Sequence, residues 1–179
     1  MVGGARPCDD FALSALPATL PMNPANPTRR LASAACLLAL SLGGAAHAMP
    51  YDEKADARAR IASALATSAV SRQPVLVVFG ANWCGDCLAL DAAMKEGGAA
   101  PLIAKNFQVV KVDVGRFDRN LGLAEAYGVP LKKGIPALAV LSPDGRVLHA
   151  TRGGELANAR KMGDHGLFDY FTRLTAGVR

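Results

Sequence analysis

Runs of apolar residues and regular apolar–polar spacings divide residues 51–176 into short predicted elements. Residues 75–79 are consecutive apolar side chains, mostly β-branched, which is typical of a strand buried on both faces. Residues 107–114 alternate instead, placing three valines on one side, which also predicts a strand. Together the patterns predict helices over 51–70, 84–96, 102–106, 121–127 and 164–176, and strands over 75–80, 107–114, 137–141 and 146–150.

The order of these elements predicts an α/β fold. Strands that alternate with helices favour parallel pairing, whereas Ser-Pro-Asp-Gly at 142–145 predicts the turn of an antiparallel hairpin. We therefore expect a mixed central sheet with helices on both faces. In the helix over 84–96 we expect Leu88, Ala92 and Met94 to be buried.

The N-terminal region contains the three parts of a secretory signal peptide. Arg29 and Arg30 precede an apolar stretch, and Ala46-His47-Ala48 ends it with an A-x-A site. We therefore expect cleavage after Ala48 and a domain over 49–179. An uncleaved membrane anchor is the alternative, but the apolar stretch is well short of the about 20 residues that a span needs.

Residues 1–21 do not fit a signal peptide, because they carry two adjacent aspartates and several prolines. Met22 gives a conventional beginning, so we interpret 22–48 as the signal peptide. We interpret 1–21 as a non-native extension upstream of the true start. A genuine disordered extension is the alternative.

Charge and cysteine content narrow the possible functions. The formal net charge of the 179 residues is +5, and the charges are scattered without a basic run, so nothing favours nucleic-acid binding. Of the four cysteines, Cys8 and Cys36 precede the predicted cleavage site, leaving Cys84 and Cys87. An exported domain with one close cysteine pair has no framework of structural disulfides.

The two remaining cysteines follow a predicted strand and a short turn, and they open a predicted helix. A helix N-terminus favours negative charge, which lowers the pKa of Cys84 toward the thiolate. Cys87 lies one turn later, close enough to form a disulfide, so the pair can accept and pass on two electrons. A structural zinc half-site is the alternative, but the other soft ligands, His149 and His165, lack the usual spacing. We expect no metal and no other cofactor.

Trp83-Cys84-Gly85-Asp86-Cys87 after an apolar strand resembles the active-site motif of the thioredoxin superfamily. The resemblance spans about 52–176 and implies a thioredoxin-like fold, with the usual first strand absent or very short. It also implies that Cys84 is the nucleophile and Cys87 the resolving thiol.

The resemblance extends to the residues around the cysteines. It implies a cis peptide bond between Ile135 and Pro136, beside the cysteines, and a substrate-binding role for Trp83, Ile135 and Pro136. Lys111 aligns with a lysine that pairs with a buried acid on the preceding strand of thioredoxins. Here the matching position is Val78, so the internal proton acceptor is missing from its usual place. The alternative is that Lys111 is simply a solvated or hairpin-edge charge.

Gly85, Asp86 and Lys111 are the residues that we expect to tune the cysteine pKa. Asp86 lies between the cysteines, and a carboxylate near a developing thiolate disfavours its ionisation. We therefore expect Asp86 to raise the pKa of Cys84, and Asp86→His to lower it and make the protein more oxidising.

These features predict an exported thiol-disulfide oxidoreductase, periplasmic if the source is a Gram-negative bacterium. We expect it to reduce protein disulfides as a monomer, without stable membrane insertion, with electrons from a membrane thiol carrier. The alternatives are a dithiol oxidase or isomerase, and a thioredoxin-fold binding module or chaperone with little turnover.

Overall fold

The computed structural model describes residues 49–178. The predicted extension (1–21) and signal peptide (22–48) lie outside these residues, so both stay predictions. The described helices are α1 (Ala57–Ser71), α2 (Gly85–Lys95), α3 (Ala100–Asn106), α4 (Leu121–Ala126) and α5 (Ala159–Gly177). The strands are β1 (Val75–Gly80), β2 (Gln108–Asp113), β3 (Ala137–Leu141) and β4 (Val147–Ala150).

The strands form one mixed sheet in the order β2-β1-β3-β4. β1 pairs in parallel with β2, and Val78 lies opposite Lys111 in that register. β3 pairs antiparallel with both β1 and β4. The predicted mixed sheet is therefore confirmed.

The central strand β1 is buried along its whole length because it contributes to a core on each face of the sheet. Val75, Val77 and Phe79 lie in one core together with Ile61 of α1. Leu76 and Val78 lie in the other core, with apolar residues of α2, α3 and α5. A strand with both faces covered needs an unbroken apolar run, as the sequence has here.

The first helix begins later than predicted. Asp56 caps α1, because its carboxylate accepts a hydrogen bond from the Ala59 backbone N–H at 3.0 Å. Tyr51 precedes the helix and is a buried core residue that lies against Gly80.

The last helix begins earlier than predicted, at Ala159 rather than near 164. Gly163 has a φ of 63° and interrupts the helical conformation there. Glycine tolerates this left-handed φ at little steric cost, so the chain changes direction at this position.

The buried face of α2 also differs from the prediction. Leu88 and Ala92 are exposed, whereas Met94 is buried as predicted. The buried residues of α2 are Cys87, Leu90, Asp91, Ala93 and Met94. The helix is therefore rotated so that a carboxylate, Asp91, lies inside the protein.

The described residues contain neither a membrane-spanning helix nor a cluster of metal ligands. None of the helices within residues 49–178 combines the length and apolar character needed to cross a membrane. In the same part of the chain, no three His, Cys, Asp or Glu side chains come together in a group that could hold a metal ion.

Candidate active site

Cys84 and Cys87 form a disulfide at the start of α2, with their Cα atoms 5.2 Å apart. Cys84 is the N-cap of this helix, and its Sγ accepts a hydrogen bond from the Cys87 backbone N–H at 3.1 Å. Once reduced, a Cys84 thiolate here would be stabilised by that N–H and by the helix dipole. Cys84 retains 6% exposure whereas Cys87 has none, so an external disulfide can approach only Cys84.

The segment before β3 lies directly against the disulfide. The Ile135–Pro136 peptide bond is cis, as predicted. The carbonyl oxygen of Ile135 is 3.6 Å from Cys84 Sγ. The preceding Gly134 has a φ of 114°, and a Cβ at this position would approach the Ala157 side chain to 2.6 Å. The segment that contains the cis bond therefore lies beside the exposed sulfur of the pair.

Trp83 is half-exposed beside the cysteines. Its indole N–H donates to the Gly115 carbonyl oxygen at 2.8 Å, which fixes the ring on the loop after β2. The indole also meets Phe117 edge-on, with ring centroids 5.9 Å apart. The aromatic surface of Trp83 is thus held at the rim of the site.

Asp86 forms an ion pair with Arg160, a partner that the sequence analysis did not predict. Its carboxylate accepts hydrogen bonds from the Arg160 backbone N–H at 3.0 Å and from the Arg160 side chain at 3.3 Å and 3.2 Å. These bonds hold the pKa of Asp86 below its usual value. The guanidinium also lies against Gly85, since a Cβ there would be 3.2 Å from Arg160 Cζ. The electrostatic environment of Cys84 therefore includes both the Asp86 carboxylate and the Arg160 guanidinium.

Lys111 is not a solvated residue, so that alternative is wrong. Its ammonium group forms an ion pair with Asp91, and the Lys111 side chain is only 14% exposed. Lys95 also pairs with Asp91, at 2.9 Å. Burial lowers the pKa of Lys111, and the nearby charge of Arg60 adds to this effect.

Asp91 is the residue that the sequence analysis missed. It follows Cys87 by four positions in the same helix, so both side chains lie on one buried face. A buried acid beside Lys111 is thus present on the active-site helix, whereas the matching strand position is Val78. The spacing Cys-x-x-x-Asp, considered with Lys111, was the available signal.

A redox-active cysteine pair at a helix N-terminus, on a mixed sheet and beside a cis-proline, is the arrangement of a thiol-disulfide oxidoreductase. Sequence and structure comparisons agree with this class. Residues 56–143 match the Thioredoxin-like family profile. The structure of a disulphide isomerase from Xylella fastidiosa is 54% identical, covering 71% of this chain and 97% of its own, with a TM-score of 0.69. The chain therefore belongs to the thioredoxin-like family.

Weaker similarity to other solved structures was also found. The oxidised C-terminal domain of DsbD from Neisseria meningitidis is 21% identical, covering 66% of this chain and 96% of its own, with a TM-score of 0.47. No curated protein sequence matched the chain. The family and the cysteine pair together make the protein a protein-disulfide oxidoreductase.

Proposed function

We propose that this oxidoreductase works as an exported reductase of protein disulfides, with Cys84 as the nucleophile. The observation that supports the roles of the two cysteines is their unequal burial. Cys84 is reachable at the helix N-terminus, and Cys87 is fully buried behind it. This difference supports Cys84 as the thiol that attacks an external disulfide and Cys87 as the thiol that attacks Cys84 afterwards.

The reaction consists of two thiol-disulfide exchanges. The Cys84 thiolate attacks one sulfur of the substrate disulfide, and the other sulfur leaves as a thiolate that takes up a proton. Cys87 then loses its proton and attacks Cys84 Sγ, which releases the first substrate sulfur. Two electrons have passed to the substrate, and the protein is left with the Cys84–Cys87 disulfide.

Asp91 is the proposed acceptor of the Cys87 proton. Because Cys87 is fully buried, the proton needs an acceptor inside the protein. Asp91 is the buried carboxylate one helical turn away, and Lys111 compensates its charge. The Asp91–Lys111 pair would thus serve as the internal proton acceptor, the role that a strand acid paired with a lysine has in thioredoxins.

The pairing of Asp86 bears on the direction of electron flow. Arg160 offsets the carboxylate, so the thiolate gains stabilisation mainly from the helix terminus and the Cys87 N–H. Without an unpaired cation beside Cys84, the reduced form is only moderately stabilised, which favours a reducing couple. After each turnover the disulfide must be reduced again, and a membrane thiol carrier is the proposed donor. The signal-peptide pattern at 22–48 supports export.

Disulfide isomerisation is the second candidate, because the 54% identical Xylella fastidiosa protein is described as a disulphide isomerase. The two functions make different demands on the cysteines. Net reduction consumes the electrons of both thiols, whereas isomerisation needs only the attacking thiol and returns it unchanged.

Two assays with matched variants separate the candidates. One follows the reduction of insulin disulfides, and the other follows the recovery of a protein with mispaired disulfides. Cys84→Ser should abolish both activities. For a reductase, Cys87→Ser should abolish catalytic reduction and trap a mixed disulfide on Cys84. Wild-type protein that fails to reduce insulin, with isomerisation that persists in Cys87→Ser, would contradict the reductase and favour the isomerase. A binding module would show neither activity.

A further inference from the structure

The loop after β2 holds Phe117 in an unfavourable backbone conformation. Phe117 has a φ of 64°, in the left-handed region that glycine and asparagine tolerate and bulky side chains avoid. Gly115 and Asn120 in the same loop also have positive φ values, of 56° and 54°, and both are residue types suited to this region. Phe117 is therefore the residue whose side chain does not suit its backbone.

Several hydrogen bonds impose this loop conformation. The Phe117 backbone N–H donates to the Val114 carbonyl oxygen at 2.9 Å. The Asn120 amide donates to the Asp113 carbonyl oxygen at 2.8 Å, and the Trp83 indole donates to Gly115 at 2.8 Å. The backbone of the loop is tied both to β2 and to the residue before Cys84, and the Phe117 ring contacts Trp83 from it.

Core packing does not explain the strain at Phe117. Its side chain is 41% exposed, and Trp83, the ring that it contacts, is 51% exposed. A phenylalanine that keeps a strained backbone while two fifths of its surface stays exposed is only partly stabilised by packing within the domain. Strained residues of this kind occur at binding and catalytic sites.

We propose that Trp83 and Phe117 form an aromatic ledge that binds an apolar side chain next to the disulfide of a protein substrate. The ledge is continuous with the redox site, since Trp83 directly precedes Cys84. Two half-exposed rings at 64° to each other offer both an edge and a face to a third apolar group. This inference rests on the proposed function and adds to it a preference for substrates with an apolar residue, best an aromatic one, beside the cysteine.

The single tryptophan of the chain makes binding to the ledge directly measurable. Trp83 fluorescence is titrated with two peptides that differ only in Phe or Ser beside a capped cysteine. The protein carries Cys84→Ser and Cys87→Ser, so no exchange chemistry takes place. We expect the Phe peptide to bind about three to ten times more tightly, the range for one aromatic contact.

Phe117→Gly removes the ring and relieves the backbone strain, because glycine adopts the observed φ easily. We expect this change to reduce the preference to less than about twofold, with an unchanged or higher melting temperature. Leu148→Ala is the matched control, since Leu148 is 40% exposed on β4, at the sheet edge away from β2. It should retain the full preference.

Three results would overturn the ledge: equal binding of both peptides, a preference that survives Phe117→Gly, or fluorescence that changes with protein concentration alone. The last would show that a second copy of the chain covers the rings. Failure of the proposed function would instead appear as absent reduction of insulin by the wild-type protein, a separate measurement.

Discussion

The ion pair between Asp86 and Arg160 should set the pKa of Cys84 through two opposing charges. Arg160→Met leaves an unpaired carboxylate near the sulfur, which disfavours the thiolate and raises the pKa of Cys84. Asp86→Asn leaves an unpaired guanidinium, which lowers the pKa. The double variant removes both charges, so its Cys84 pKa should be close to that of the wild-type protein.

The size of these shifts follows from the geometry. Arg160 Cζ lies 3.2 Å from the position of a Cβ on Gly85. Gly85 directly follows Cys84, and consecutive Cα atoms are about 3.8 Å apart, so the guanidinium lies on the order of 7 Å from Cys84. A unit charge at about 7 Å contributes about 0.6 kcal/mol in water and about 2.4 kcal/mol at an effective dielectric constant of about 20.

The true contribution is closer to the smaller value, because the Arg160 side chain is 67% exposed and water screens its charge. We expect about 1 kcal/mol for each charge, or slightly less than one pKa unit. For the two-electron couple this corresponds to about 20 mV. Asp86→Asn makes the protein more oxidising by this amount, and Arg160→Met makes it more reducing.

Ultraviolet absorbance of the thiolate measures the pKa in a Cys87→Ser background, where Cys84 is the reacting thiol. Equilibration with glutathione measures the potential of the intact pair. Arg146→Met is the matched control, since Arg146 forms an exposed ion pair with Asp144 in the β3–β4 hairpin. It should change neither quantity. Shifts of the same sign in Arg160→Met and Asp86→Asn, or no shift in either, would refute the electrostatic reasoning.

Two further predictions concern buried groups. Asp91→Asn should slow the release of the mixed disulfide by about a hundredfold at neutral pH, a typical contribution of a proton acceptor. Quenched-flow analysis should show the loss shrinking at high pH, where Cys87 ionises unaided; a uniform loss at every pH would indicate a structural role for the pair with Lys111. Gly80→Ala should cost at least about 2 kcal/mol of unfolding free energy, because the new Cβ would overlap the buried ring of Tyr51. Urea denaturation measures this cost, and an unchanged midpoint would show that Tyr51 moves freely.

The sheet was predictable because its strands have strong patterns. The apolar run of β1 is explained by the core on each of its faces. The alternation in β2 is explained by the unequal burial of its two faces. The Pro-Asp-Gly turn marked the β3–β4 hairpin. The cysteine pair and the cis-proline were recognisable from local sequence together with the family resemblance.

The orientation of α2 was not predictable from its sequence. Its alanines fit either face of a helix, so the sequence pattern is equally consistent with Leu88 and Ala92 on the buried face. The observed rotation buries Asp91 instead, and the ion pairs with Lys111 and Lys95 compensate the burial of its charge. A short alanine-rich helix does not determine its own buried face.

The pairing of Asp86 with Arg160 was missed for a different reason. The two residues are 74 positions apart, and no periodic pattern connects them. Arg160 lies in a stretch with glycines and polar residues, where the sequence predicted no helix before 164. The expected sign for Asp86→His is unchanged, since that variant also removes the carboxylate and leaves Arg160 in place.

The redox state of Cys84 and Cys87 in intact cells tests the central proposal most directly. Acid quenching followed by alkylation of free thiols separates the dithiol form from the disulfide form by mass. A reductase supplied with electrons should be found mostly as the dithiol, and it should become oxidised when the membrane donor is removed. A protein found mostly as the disulfide while its donor is intact would contradict the proposal and indicate an oxidase.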